Sequence, residues 1–91
     1  MRLIKIYTPW CGACKVITPI LESISKEHSI EIEEIDADAA GRTPEGIAKL
    51  DKLPSIRNLP TVFVVDDNEE VVATLVGRKT KQDYLTALKL S

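Results

Sequence analysis

Two cysteines separated by two small residues stand where an apolar strand pattern meets a long helical one, in Tyr7-Thr8-Pro9-Trp10-Cys11-Gly12-Ala13-Cys14-Lys15. They are the only cysteines in the chain. A strand that delivers a Cys-x-x-Cys pair to the start of a helix points to redox chemistry. The alternatives are half of a metal site or a pair of idle buried thiols. Zinc wants four ligands, and the only other soft candidate is His28, so no metal and no cofactor are expected.

The length of 91 residues suits one compact domain, taken as residues 1–91. Apolar residues make up 44%, enough for one modest core. A net charge of −2 argues against a nucleic-acid partner, which usually meets a basic face. No apolar run approaches the ~18 residues that span a bilayer, so no membrane role is expected. Met1-Arg2-Leu3-Ile4-Lys5 is too short and too soon interrupted by charge for a signal peptide. The expected location is therefore the reducing cytoplasm, where a close cysteine pair is catalytic or metal-binding rather than structural.

Residues 2–7 read as a first strand, nearly continuous in apolar side chains and so buried on both faces. Thr8-Pro9 ends it, because proline has no N–H for a ladder. From Gly12 to about His28 the period becomes helical, with Val16, Ile17, Ile20, Leu21 and Ile24 as the stripe that faces a sheet. Pro19 lies inside this helix and predicts a kink about two turns in. Residues 30–36 form a second strand, parallel to the first across the helix. Asp36 to Gly41 reads as a loop. Thr43 and Pro44 announce a short helix over 44–52. Residues 61–65 and 70–76 form a hairpin about Asp66-Asp67-Asn68-Glu69, and Gly77 closes it. A last helix starts near Thr80, with Asp83 completing a capping box and Tyr84, Leu85 and Leu88 as its stripe. The order is β-α-β-α-β-β-α. It predicts an α/β fold with one four-stranded mixed sheet flanked by helices.

At the helix start the first sulfur lies near unpaired N–H groups and the positive end of the helix dipole. Both favour a thiolate, so Cys11 is the attacking sulfur. Cys14, one turn further in, resolves the mixed disulfide. Gly12 and Ala13 lack bulk, so a substrate backbone can come near. Trp10 reads as an exposed aromatic flanking the site. Lys15 and Arg57 read as solvated, with partner docking as the alternative. Glu31, Glu33, Glu34, Asp36 and Asp38 read as a solvated edge, and His28 as a helix-end cation. Lys5 has two readings. Either it snorkels from the sheet edge, or its charge modulates Cys11.

Trp10-Cys11-Gly12-Ala13-Cys14-Lys15, followed by Pro19 five residues after the second cysteine, resembles the thioredoxin family. So do Ser55-Ile56-Arg57-Asn58-Leu59-Pro60-Thr61 before a valine-rich strand, and Val76-Gly77 before the last helix. The resemblance implies the thioredoxin fold, with an active site at Trp10, Cys11, Gly12, Cys14 and Pro60. It also implies a cis peptide before Pro60 and a substrate groove lined by Leu59 and Gly77. Four departures stand out, one of them a segment from Asp36 to Pro60 that is longer than the family's norm. The chain begins at the family's second strand, a plan similar in size to glutaredoxin. Ala13 stands where the family has proline, which implies a less strongly reducing dithiol. Lys5 stands where the family has a buried aspartate.

The function expected from the resemblance is thiol–disulfide exchange that reduces protein disulfides, with a reductase of the thioredoxin reductase kind as donor. Ribonucleotide reductase is a family-typical acceptor, and a monomer is expected. The alternatives are a glutathione-coupled glutaredoxin, whose carboxylate donors are not evident after Gly77, and a non-catalytic binding module. The presence of both cysteines and Pro60 counts against the module.

Overall fold

The computed structural model describes residues 1–90. In chain order its elements are β1 (Arg2–Tyr7), α1 (Gly12–His28), β2 (Glu31–Asp36), α2 (Ala37–Ala40), α3 (Pro44–Asp51), β3 (Thr61–Val65), β4 (Val71–Val76) and α4 (Lys81–Ala87). The four strands form one sheet in the order β2-β1-β3-β4. β1 is parallel to β2 and antiparallel to β3, and β3 is antiparallel to β4. The α/β architecture expected from the sequence is therefore present, with one helical element added.

Alternation along the two inner strands divides the core. Leu3, Val62 and Val64 face α1 and α4, where they meet Ile17, Leu21, Ile24, Tyr84 and Leu88. Ile4, Ile6, Phe63 and Val65 face the other side, under α2, α3 and the segment carrying Leu53, Ile56 and Leu59. Ile32 and Ile35 of β2 are three apart, so they serve opposite faces. A strand covered on both sides has no solvent face, which is why β1 and β3 read as continuous apolar runs.

The buried face of α1 is Cys14, Ile17, Leu21 and Ile24, spaced by three, four and three residues. Val16 is not part of it and is 46% exposed. One residue turns a helix by about 100°, so Val16 cannot share the arc that Ile17 occupies. Pro19 is exposed and α1 runs through it from Gly12 to His28. The helix ends at Ser29, whose left-handed φ of 55° lets its N–H bond the carbonyl of Ser25.

The segment expected as a loop after Asp36 is instead the single turn α2. Asp36 makes it, because Oδ1 accepts the N–H groups of Asp38 (3.0 Å) and Ala39 (3.2 Å). α3 then packs close against α2. A Cβ at Gly46 would lie 2.2 Å from the carbonyl oxygen of Ala40, so only glycine fits there. The acidic residues of β2 are also more engaged than a solvated edge. Glu33 pairs with Arg2 (3.0 Å) and with Lys49.

The capping box of α4 is present. Thr80 Oγ1 accepts from the Asp83 N–H (3.2 Å), and the Thr80 N–H donates to Asp83 Oδ2 (2.8 Å). This start seats Tyr84 in the core, where its hydroxyl has no hydrogen-bond partner among the described residues.

Burial, with a smaller contribution from the Asp83 charge, pushes the Tyr84 phenol up to about 12. The folded state therefore holds this proton more tightly than the unfolded chain, whose phenol titrates near ~10. Stability is full below that value and falls as pH rises towards 12. Tyr84→Phe should abolish this alkaline fall in urea denaturation, and it should cost less than about 1 kcal/mol at pH 7 because no hydrogen bond is lost. A larger cost at pH 7 would show that the hydroxyl has a partner in solution.

Candidate active site

The end of β1 delivers Thr8-Pro9-Trp10 as a tight turn, closed by the Cys11 N–H on the carbonyl of Thr8 (3.2 Å). Cys11 is the N-cap of α1, with extended backbone (φ −83°, ψ 107°). Its Sγ accepts the N–H of Cys14 at 3.2 Å. The sulfur thus occupies the position that a serine or aspartate oxygen takes in an ordinary cap. Cys11 and Cys14 are joined as a disulfide, with their Cα atoms 5.3 Å apart. Both residues are buried, Cys11 at 7% and Cys14 at 2% exposure. Cys11 lines an open groove, whereas Cys14 belongs to the apolar face of α1.

The groove encloses about 570 Å³. One wall is Thr8, Trp10 and Cys11, another is Ala37, Asp38 and Leu50, and the third is Ile56 to Leu59. The Leu59–Pro60 peptide is cis. Two hydrogen bonds hold this corner. The Thr61 hydroxyl donates to the carbonyl of Asn58 at 2.6 Å, and the Gly77 N–H donates to the carbonyl of Pro60 at 2.9 Å. Gly77 itself has φ 82°, a left-handed conformation that a side chain would strain. The three sequence motifs far apart in the chain therefore meet at one end of the sheet.

The individual expectations fare differently. Trp10, Cys11 and Leu59 line the groove. Gly12 stands beside it with open space where a Cβ would lie, and Ala13 is half-buried. Pro60 is buried, behind the groove wall that Leu59 forms. Gly77 does not line the groove and acts on it through Pro60. Lys15 and Arg57 are exposed. Lys5 is not at a sheet edge. It lies on an inner strand at 4% exposure, and its Nζ donates to Thr18 Oγ1 at 2.6 Å.

Sequence reasoning placed Asp38 on a solvated edge, yet its Oδ2 accepts the Trp10 indole N–H at 2.8 Å. The indole is otherwise 72% exposed, so this bond orients it over the groove. Thr8, Ala37, Leu50 and Ile56 were also missed as groove residues. Their only sequence signal was proximity to a turn or a helix end. Thr8 Oγ1 is buried with no partner among the described residues. A second cavity, about 550 Å³ between α3 and β1–β2, contains the Arg2–Glu33 and Glu33–Lys49 pairs and shares no residue with the groove.

The Thioredoxin family model matches residues 1–89. The thioredoxin of Bacillus subtilis (strain 168) is 35% identical over 82 residues, which cover 88% of this chain and 71% of that protein. The thioredoxin of Chlamydia trachomatis serovar D is 32% identical over 84 residues, covering 91% of this chain and 74% of that one. Among solved structures, a chain in the complex of ferredoxin:thioredoxin reductase with thioredoxin f2 superposes with a TM-score of 0.75. It is 27% identical and the match covers 96% of this chain and 73% of that chain.

The chain has one tryptophan, so its emission reports on the groove alone. Asp38→Ala should lower the fluorescence anisotropy of Trp10 by freeing the indole. An anisotropy equal to that of the parent would mean that the bond to Asp38 does not hold the ring in solution.

Proposed function

The chain belongs to the thioredoxin family and is a thiol–disulfide oxidoreductase, and from that premise we propose that it reduces protein disulfides through Cys11-Gly12-Ala13-Cys14. The observation that carries the assignment of roles is the start of α1. Cys11 Sγ accepts a backbone N–H at the positive end of the helix and opens on the groove. Cys14 is three residues, nearly one turn, further in and closed off from solvent.

The reaction follows from that asymmetry. The Cys11 thiolate attacks one sulfur of a substrate disulfide, so a Cys11–substrate bond forms and the substrate S–S bond breaks. The other substrate sulfur leaves as a thiolate and takes a proton. Cys14 then gives up its proton and attacks Cys11 Sγ. The Cys11–Cys14 disulfide forms, and the second substrate sulfur leaves and is protonated. Two electrons have passed from the dithiol to the substrate, with one proton from Cys14 and one from solvent, where Cys11 left its own on ionising.

An extended substrate segment lies in the groove between Trp10 and Leu59, with its backbone against Gly12 and Ala13. Pro60, held by Gly77, closes the far side, and Lys15 flanks the entrance. The partner solved with thioredoxin f2 is a reductase, which supports an enzyme of that class as the donor that restores the dithiol. Protein disulfides are the acceptors, with ribonucleotide reductase as one candidate. A reductive cycle of this kind suits the cytoplasm.

The experiment is insulin disulfide reduction, driven either by NADPH with thioredoxin reductase or by NADPH with glutathione and glutathione reductase. Turnover with the first donor supports the assignment. Turnover only with the second would replace it by a glutathione-coupled enzyme. Failure with both, and with dithiothreitol as well, would overturn it. In the same assay Cys11→Ser should abolish activity, while Cys14→Ser should accumulate a covalent insulin adduct on Cys11, visible by mass spectrometry. An adduct on Cys14 in the Cys11→Ser protein would reverse the two roles.

A further inference from the structure

Lys5 is a buried cation that the exchange reaction does not use. Its surroundings are fully specified. From α1, Thr18 Oγ1 accepts its Nζ–H at 2.6 Å. The same hydroxyl donates to the carbonyl of Cys14 at 3.1 Å, one helical turn earlier. From β2, Glu34 Oε1 lies 3.8 Å away, on a side chain that is 51% exposed. From β1, the Tyr7 ring centroid is 5.3 Å away. From β3, the facing residue is Val62, which carries no charge. Glu22 and Lys26 of α1 line the shallow opening beside Thr18 and Glu34.

Burying an ammonium is costly unless something in the interior answers its charge. Glu34 answers it only in part, because water screens a half-exposed carboxylate. The residues buried in the core on this side of the sheet carry no charge. In the disulfide state the sulfurs are neutral. When a donor dithiol opens the disulfide, two electrons enter the pair. A negative charge then resides on the released sulfur until a proton arrives. On Cys11 the helix N-terminus and the groove receive that charge. Cys14 already lies inside the helix, on the same buried face as Ile17 and Leu21, at 2% exposure. Its nearest cation through the hydrogen-bond network is Lys5, by way of Thr18.

We propose that Lys5 is a positioning residue for the redox step, its ammonium tethered by Thr18 one helical turn from Cys14 so that it stabilises the Cys14 thiolate. Two consequences follow. Cys14 is more readily deprotonated for its attack on the mixed disulfide. The dithiol state is also favoured over the disulfide, which makes the pair less strongly reducing. A carboxylate at the same place would act in the opposite direction on both counts.

The proposal rests on the redox role of the pair, yet its test needs no protein substrate. In a Cys11→Ser background Cys14 is the only thiol, and its thiolate absorbance, rising below the tyrosine range, gives its pKa directly. Lys5→Met should raise that pKa by about one unit, a tenfold loss of thiolate at a fixed lower pH. Lys5→Arg should restore it, and Thr18→Val should raise it by releasing the tether. In the intact pair at pH 9, Lys5→Met should shift the equilibrium with glutathione about tenfold towards the disulfide, equivalent to about 30 mV. A lost core contact would not produce a pKa change rescued by arginine. If Lys5→Met fails to fold, the titration of Thr18→Val decides. A folded variant of either kind whose Cys14 titrates as in the parent overturns the proposal. A failed insulin assay with these shifts present would instead refute the substrate assignment alone.

Discussion

The structure depends on β1 being covered on both faces. Its side chains alternate between two apolar layers, Leu3 towards α1 and α4, Ile4 and Ile6 towards α2 and α3. A strand placed in that way has to be interior, and the sheet order β2-β1-β3-β4 satisfies the requirement. Its carboxyl end then opens between two layers of helix. In open α/β sheets that crevice is where ligands sit. Here it is where the chain leaves β1, turns through Thr8-Pro9-Trp10 and starts α1 with a cysteine as the cap.

Chemistry at the cap follows from the helix it begins. The free N–H groups of a first turn need acceptors, and Cys11 Sγ supplies one. The same donors then favour negative charge on that sulfur. The remaining parts are brought in from distant positions by the sheet. β3 presents the cis peptide before Pro60, and β4 fixes it through the Gly77 N–H. α2, capped by Asp36, carries Asp38 to the indole of Trp10. Lys5 lies on β1 itself and bonds Thr18, one turn along the helix whose N-terminus carries the sulfurs. One strand thus supplies both the approach to the cap and a buried cation against the same helix.

Much of this was legible in the chain. Continuous apolar runs and loose alternation located all four strands, and helical periods located α1 and α4. Proline at 44 and the Thr80–Asp83 pair located two helix starts. The errors share a cause. Val16 is as apolar as Ile17, and nothing local says which of the two faces the sheet. Asp36 and Asp38 look like ordinary solvated acids, because capping and indole binding depend on which N–H groups the fold brings near. Lys5 reads as an edge residue by its charge, yet its neighbours place it on an inner strand.

By itself the sequence determined the strand–cysteine–helix unit, the order of every element but α2 and the pairing of the two cysteines. Those follow from short-range rules, namely side-chain period, proline's missing N–H and the free donors of a helix start. Tertiary structure alone decided that Val16 stays off the buried face of α1, which residues wall the groove and what Lys5 bonds. These depend on contacts between residues far apart in the chain, such as Gly77 with Pro60, Trp10 with Asp38 and Lys5 with Thr18. Such contacts form only when packing sets the distance, and no local pattern encodes it.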